Sequence, residues 1–113
     1  MENKYLNEIT TLLKQARPRL SITHRLEFKN VFGAVGGYIN GCIFVSCGKF
    51  GVAFRLPPDT LDMLFREKKA KRLKYFSNGH IKKEYAVLSK RVLKNKRQLK
   101  KLVGESIKYV LSL

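Results

Sequence analysis

The groups that build catalytic and metal sites are scarce in this sequence. Its 113 residues include eight acidic residues, two histidines, two cysteines and no tryptophan. General acid–base pairs are built from carboxylates and histidines, and metal sites from clusters of cysteine, histidine and acidic side chains. We therefore expect a protein that is not an enzyme, with no catalytic residue, no metal site and no cofactor.

Long apolar stretches are also missing. The most apolar segments, around Cys42–Val45 and Lys108–Leu113, are much shorter than the roughly 20 residues needed to cross a bilayer. Met1–Lys4 shows no basic start followed by an apolar leader. We expect a cytoplasmic protein without a membrane partner.

The two cysteines are expected to be free thiols. Cys42 and Cys47 lie five positions apart in what should be one strand. At about 3.3 Å per residue they would be too far apart for a disulfide, and their odd spacing would place them on opposite faces of the sheet.

Apolar residues recur at helical spacing at both ends of the chain. The first pattern runs from Tyr5 to Ala16 and ends before Pro18, which predicts an amphipathic helix. A second predicted helix closes the chain, with an apolar stripe formed by Leu99, Leu102, Val103, Ile107, Val110 and Leu111. A short middle helix should follow Pro57-Pro58, with Asp59 as its N-cap and an inward face formed by Leu61, Leu64 and Phe65.

Short apolar runs separated by glycines predict a meander of antiparallel strands between residues 26 and 56. Asn40-Gly41 should form a two-residue type I′ turn that joins residues 37–39 to residues 42–46. In the next predicted strand, one face carries Phe50, Val52, Phe54 and Leu56, and the other carries Gly51, Ala53 and Arg55. After Tyr75-Phe76 and a turn at Asn78-Gly79, a last strand is expected at Ile81–Leu88.

These elements predict an α+β fold. We expect one domain, residues 1–113, in which N-terminal, middle and C-terminal helices pack on a single antiparallel sheet of about four to five strands.

Three further features have a structural interpretation. Phe32–Gly37 is rich in glycine but lacks the spacing of a phosphate loop or a dinucleotide site, so its glycines are expected in tight turns and close backbone contacts. His24 and His80 are isolated and are expected at the surface or in loops rather than as metal ligands. Ser106 lies among the apolar positions of the last helix, where packing or hydrogen bonding is favoured over a role as nucleophile.

The order of several motifs between about Ile22 and Leu113 resembles a known family. The motifs are Phe32-Gly33, Gly37-Tyr38-Ile39-Asn40-Gly41, the strand Phe50–Leu56 with its proline exit, Gly79-x-x-Lys82-Lys83-x-Tyr85-x-x-Leu88, and Leu99-x-x-Leu102-Val103-x-x-Ser106-Ile107-x-Tyr109-Val110. The chain is similar to the N-terminal domain of TfoX/Sxy-type competence regulators. The resemblance implies a small α+β fold grouped with secretion-chaperone-like architectures, no catalytic residues, and a regulatory role linked to transcription or competence.

Positive charge is concentrated in one segment. The chain has 24 basic and 8 acidic residues, a net charge of +16, and residues 66–101 contain fifteen of the basic residues and two of the acidic ones. Such a segment attracts polyanions, although no motif for reading bases is visible. The candidate nucleic-acid-binding residues are Lys68, Lys69, Lys71, Arg72, Lys74, Lys82, Lys83, Lys90, Arg91, Lys94, Lys96, Arg97, Lys100 and Lys101.

Several functions are compatible with these features. The first is a non-enzymatic regulatory or adaptor domain of the kind that the resemblance implies, with a regulatory protein as partner. The alternative is a stand-alone basic module that binds RNA or DNA without sequence preference. The lysines would form only a solvated surface if neither partner exists. An enzyme with a site at the glycine-rich hairpin is disfavoured, because no acid–base pair or activated nucleophile can be assembled there.

Overall fold

A helix opens the chain and is followed by strands that all join one sheet. The computed structural model describes residues 4–16, 18, 20, 23–31, 33–74 and 81–113. In chain order the elements are α1 (Lys4–Ala16), β1 (Leu26–Val31), β2 (Ala34–Ile39), β3 (Cys42–Gly48), β4 (Gly51–Arg55), α2 (Pro58–Arg66), β5 (Ala70–Lys74), β6 (Ile81–Leu88), α3 (Lys90–Lys94) and α4 (Lys96–Leu111). The α+β class predicted from the sequence is confirmed.

The sheet is larger than expected, with six strands in the described part of the chain. Their order is β1-β2-β3-β4-β6-β5, and each neighbouring pair is antiparallel. Strand β5 was not predicted, because its sequence, Ala70–Lys74, has a single leucine among basic residues and lacks the alternation that marks a half-buried strand. Strands β1 and β5 form the two edges.

The hairpin at Asn40-Gly41 has the predicted geometry. The φ angles of Asn40 and Gly41 are 49° and 82°, as a type I′ turn requires. The side chain of Asn40 accepts a hydrogen bond from the backbone N–H of Arg25 at 2.8 Å, and its own backbone N–H donates to the Arg25 carbonyl at 2.9 Å. The turn is therefore fastened to the chain just before β1.

A glycine of the same hairpin allows a close backbone contact, as expected from the sequence. A Cβ atom at Gly37 would lie only 2.6 Å from Cγ1 of Val45, which is too close for any other residue without movement of the neighbour. The prediction that these glycines serve packing is confirmed at this position.

A bulge in β3 changes the predicted placement of the cysteines. Residue 37 pairs with residue 45, and residue 38 pairs with residue 43, so Phe44 is one extra residue on β3. The extra residue shifts the alternation of side chains by one position. Cys42 and Cys47 therefore both contact the core beneath the helices, and the prediction that they lie on opposite faces was wrong. Both are free thiols.

The main hydrophobic core lies between the helices and one face of the sheet. Helices α1 and α4 together contact β2, β3 and β4, whereas α2 contacts β5 and β6. The largest fully buried side chains of this core include Phe44, Phe54, Ile9, Leu64 and Leu99. Helices α1, α2 and α4 each bury one apolar face, as the helical spacing predicted.

The opposite face of the sheet carries a smaller cluster. Ala53, Leu73 and Val87 are buried there, and Phe50 and Tyr85 pack against them. Phe50 was expected on the other face, and that prediction was wrong. Strand β4 begins only at the following residue, a glycine with a φ of 113°, so Phe50 belongs to the preceding turn and does not follow the alternation of the strand.

The helix ends also differ from the prediction. Helix α2 starts at Pro58 with Pro57 as its N-cap, so Asp59 lies in the first turn and is not the cap. Proline fits the first turn because the N–H that it lacks would have no helical partner there. In α4, Leu111 is 37% exposed instead of buried. The predicted segment Tyr75–Gly79 and His80 lie outside the described residues.

Polar contacts fix α4 on the sheet. The hydroxyl of Tyr109 donates to the carboxylate of Glu84 at 3.0 Å, and the guanidinium of Arg55 approaches the same carboxylate to 3.2 Å. These contacts join α4 to β4 and β6. They fix the rotation of α4 on the sheet and therefore which of its faces is turned to solvent. Among the described residues, no helix is long and apolar enough to span a membrane.

Candidate functional site

The densest group of cations lies where α3 meets α4. Residues 90–101 contain seven basic residues and no acidic residue. All seven are exposed. They form the basic corner, defined here as Lys90, Arg91, Lys94, Lys96, Arg97, Lys100 and Lys101.

Two side-chain caps shape the basic corner. The hydroxyl of Ser89 accepts a hydrogen bond from the N–H of Val92 at 3.3 Å and so caps α3. Asn95 ends α3 and caps α4, because its side-chain oxygen accepts from the N–H of Gln98 at 3.1 Å. Val92 and Leu99 are buried below the corner. The local sequence therefore directs the apolar residues inward and the cations outward.

A second group of cations lies at the turn from α2 into β5. Lys68 and Lys71 are exposed, whereas Lys69 is partly buried and forms a salt bridge with Glu67 at 3.0 Å. The guanidinium of Arg72 lies 4.7 Å from the ring centroid of Phe65. Arg72 therefore packs on a residue of α2, and its guanidinium already makes a cation–π contact.

The structure brings these two groups together. The backbone N–H of Ser89 donates to the carbonyl of Lys69 at 2.9 Å, which holds the start of α3 against the turn after α2. One groove of about 430 Å³ is lined by Lys68, Lys71 and Lys90 along with Glu8. Another, of about 470 Å³, is lined by Lys69, Arg97 and Lys101 along with Asp59 and Glu105. Cations from both groups thus face the same grooves.

The remaining candidates are less central. Lys83 is exposed near the start of β6, and five residues of strand, roughly 17 Å, separate it from the end of β6 where α3 follows. Lys74 and Lys82 lie in β5 and β6, but their side chains are outside the described part of the structure. Lys83 is therefore not part of the basic corner.

The charges of the basic corner are not paired with acidic side chains in the described part of the chain. In the described part of the chain, the salt bridges are Arg55–Glu84 and Lys69–Glu67, and neither involves the corner. Lys96 and Arg97 occupy the first turn of α4, where the helix dipole favours negative charge and disfavours positive charge by about 0.3–1 kcal/mol per residue. Arg91 and Lys94, in contrast, lie in the last turn of α3, where the helix dipole favours positive charge.

Lys68 has a backbone conformation that is unfavourable for any residue with a Cβ atom. Its φ is +57°, and it follows the C-cap of α2. The N–H of Lys69 donates to the carbonyl of Leu64, and the N–H of Lys68 donates to the carbonyl of Phe65, which is the bonding of a Schellman motif. Glycine is the usual residue at this left-handed position. A lysine occupies it here.

A groove with an apolar floor runs beside α4 and was not predicted from the sequence. This α4 groove has a volume of about 620 Å³. Its apolar residues are Pro18, Ile107 and Leu111, and Gly104 lies three positions before Ile107 in α4. The cations on its rim are Arg97, Lys100, Lys101 and Lys108. His24 also lines it. Residues 97, 101, 104, 108 and 111 recur at helical spacing, which is the signal that could have revealed this face.

Two nucleophilic side chains, those of Ser106 and Cys47, are buried. The hydroxyl of Ser106 is buried and contacts the backbone carbonyls of Phe44 and Arg55. Burial, together with the charge and hydrogen bond of Glu8, raises the pKa of Cys47 to about 12. The described residues contain no group of three or more His, Cys, Asp and Glu side chains placed to hold a metal ion.

Comparisons with known proteins give no further guide. No protein-family model matches the chain. No curated protein matches it, and no solved structure does.

Proposed function

We propose that this protein binds polyanions, and nucleic acid in particular, through the basic corner and the neighbouring Lys68, Lys69 and Lys71. The observation that carries the proposal is the concentration of seven exposed cations in twelve residues, without a salt bridge among the described residues. Phosphate groups would replace the absent acidic partners. They would also satisfy the first turn of α4, where anions are favoured.

Binding of this kind depends on phosphate charge and is insensitive to base sequence. Lysine and arginine that neutralise phosphates release condensed counterions, so the logarithm of the affinity falls linearly with the logarithm of the salt concentration. The slope is about 0.9 for each phosphate contact on duplex DNA. Lysines predominate in the corner, and lysine acts as a point charge without the planar geometry that favours bidentate recognition of a base.

The test is a salt titration of two unrelated labelled duplexes of about 20 base pairs. The variant replaces Lys90, Lys94 and Lys96 with glutamine. A matched control replaces Lys14, Lys29 and Lys49, which are equally exposed and lie on α1, β1 and the turn before β4. Both variants lose three positive charges, so the comparison separates the position of the charge from its amount.

We expect the corner variant to weaken binding to both duplexes and to lower the salt slope by up to about 0.9 per lost contact, whereas the control should bind nearly as the native protein does. Equal effects of the two variants would show that only net charge matters. No binding at about 50 mM salt would refute the proposal, because electrostatic binding is strongest at low salt.

A second candidate is a regulatory adaptor of the TfoX N-terminal type. The α4 groove favours it, because an apolar floor suits a protein partner better than it suits a phosphate backbone. The test is recovery of partners from cell extract with and without nuclease. Nuclease-resistant recovery of one protein would support the adaptor, and recovery that nuclease abolishes would support nucleic-acid binding alone.

A further inference from the structure

We propose that the α4 groove binds an acidic, amphipathic helix of a partner protein. This inference rests on the adaptor function and extends it by naming the surface and the chemistry of the partner. Two independent features of the groove carry it: the shape of its floor and the arrangement of charge on its rim.

The floor is shaped by Gly104. A Cβ atom at this position would meet nothing within 4 Å, so no described neighbour requires the glycine. Its φ is not in the left-handed region, and it lies in the middle of a 16-residue helix. Glycine in such a place lowers helix stability relative to alanine. It leaves a depression between Arg97 and Leu111 into which a side chain of another helix can project.

The apolar part of the floor fits a helix face. Ile107 and Leu111 are one turn apart. Leu111 is 37% exposed although its side chain is apolar. Pro18 completes the apolar wall from outside α4. Amphipathic helices bind to grooves of this kind through apolar residues spaced three, four and seven positions apart.

The rim specifies negative charge on the partner. Arg97, Lys101 and Lys108 lie along α4. The first and last are eleven positions apart, which is about 16 Å along the helix axis at 1.5 Å per residue. A partner helix of about three turns has the same length and can present several carboxylates along it. A nucleic acid would instead place phosphates over the apolar floor, and a ligand with a single charged group would leave most of the rim cations without a partner.

The experiment uses the full chain and a designed, fluorescein-labelled helical peptide of about 14 residues with leucines on one face and glutamates beside them. Four such peptides differ in the register of the leucines. The control peptide has the same composition in scrambled order, so its charge is identical and its apolar face is lost. Vesicles of anionic phospholipid and the labelled duplex serve as alternative ligands.

Two substitutions at one position distinguish a filled groove from a misfolded protein. Gly104→Gln places a long polar side chain in the groove, whereas Gly104→Ala adds a single methyl group. Both residues are better helix formers than glycine, so both variants should fold. We expect Gly104→Gln to weaken binding of the amphipathic peptide at least about tenfold, and Gly104→Ala to change it by less than about threefold. Arg97, Lys100 and Lys101 line this groove and also belong to the basic corner, and both variants keep them, so duplex binding should change less than peptide binding.

The outcomes are distinct. Binding of an amphipathic peptide in preference to the scrambled one, with loss in Gly104→Gln, supports the inference. Equal binding of the amphipathic and the scrambled peptides overturns it. So does a lack of binding by all four amphipathic peptides. Binding to vesicles but not to peptides also overturns it in favour of a membrane surface. Loss of duplex binding in the Lys90, Lys94 and Lys96 variant with retained peptide binding would show that the two surfaces act separately, so failure of one proposal does not imply failure of the other.

Discussion

The hydroxyl of Ser106 lies 2.9 Å from the carbonyl oxygen of Phe44, the extra residue of the β3 bulge. It also lies 2.6 Å from the carbonyl of Arg55 at the end of β4. A bulged residue is left out of the regular ladder of strand hydrogen bonds, so its backbone needs another partner. Ser106 supplies that partner from α4 and so couples the position of the helix to an irregularity of the sheet.

Replacement of Ser106 by alanine should therefore destabilise the fold. The hydroxyl has a single proton, so the substitution removes one hydrogen bond that the two carbonyl groups share. The loss should cost about 1–3 kcal/mol in the free energy of unfolding. Ser112→Ala is the control, because Ser112 also donates to a carbonyl of α4 but is exposed, so its loss should cost less than about 0.5 kcal/mol. Urea denaturation measures both. Equal losses in the two variants would contradict the coupling.

The secondary structure was predictable where one segment carries its own signal. Helices α1 and α4 follow from helical spacing, the Asn40-Gly41 turn follows from its dipeptide, and β6 follows from residue types that suit a sheet. Helix α3 was missed because its five residues are too few to show a period. The bulge at Phe44 was missed because one extra residue is defined only relative to the partner strand.

The candidate site was predictable in composition but not in arrangement. All the basic residues were evident from the sequence, yet their grouping depends on contacts between distant segments, such as the hydrogen bond from Ser89 to Lys69. The length of β6 places Lys83 away from the corner. The α4 groove depends on Pro18 and His24, which are about 80 residues distant in sequence from α4 and reach it only in the folded chain.

Lys68 should be more important for binding than for stability. Its left-handed conformation costs an L-amino acid about 1–2 kcal/mol, and glycine avoids this cost while losing more chain entropy on folding. Lys68→Gly should therefore leave the free energy of unfolding unchanged or raise it by up to about 1 kcal/mol. Its affinity for the labelled duplex at low salt should fall as much as in Lys68→Gln, which keeps the conformation and removes the charge. A Lys68→Gly variant with reduced stability and native affinity would contradict this.

The two cysteines should differ in reactivity although they share a face. Because burial and the neighbouring Glu8 raise the pKa of Cys47 to about 12, its thiolate is rare at pH 8, and the thiolate is the reactive form. Cys42 is only partly buried. Iodoacetamide at pH 8 should modify Cys42 first, and both cysteines after unfolding, as measured by peptide mass spectrometry. Faster modification of Cys47 in the folded protein, or a chain two mass units lighter under non-reducing conditions, would contradict the structure.

Glu84 should make stability depend on pH in the acid range. Burial raises the pKa of its carboxyl, but hydrogen bonds from Arg55 and Tyr109 and the charge of Arg55 outweigh burial, so the pKa is lowered from its ordinary value of 4.5. A lowered pKa in the folded state means that the unfolded chain binds the proton more readily. The contribution of Glu84 is thus fully present above about pH 4.5 and is lost as the pH falls through the lower, folded-state pKa.

Solvent limits how much Glu84 contributes to the pH dependence of stability. Mutation can separate the contribution of its charge from that of its hydrogen bonds. The side chain of Glu84 is 46% exposed, so its pairing with Arg55 should contribute less than about 1 kcal/mol. Glu84→Gln should lower the free energy of unfolding at pH 7, and the difference from the native protein should shrink as the pH falls below 4.5. Tyr109→Phe removes one of the hydrogen bonds that lower the pKa and keeps the pairing with Arg55, so it should retain part of the pH dependence. Urea denaturation between pH 3 and pH 7 measures all three proteins, and a Glu84→Gln deficit that stays constant across this range would show that the carboxylate charge does not stabilise the contact between α4 and the sheet.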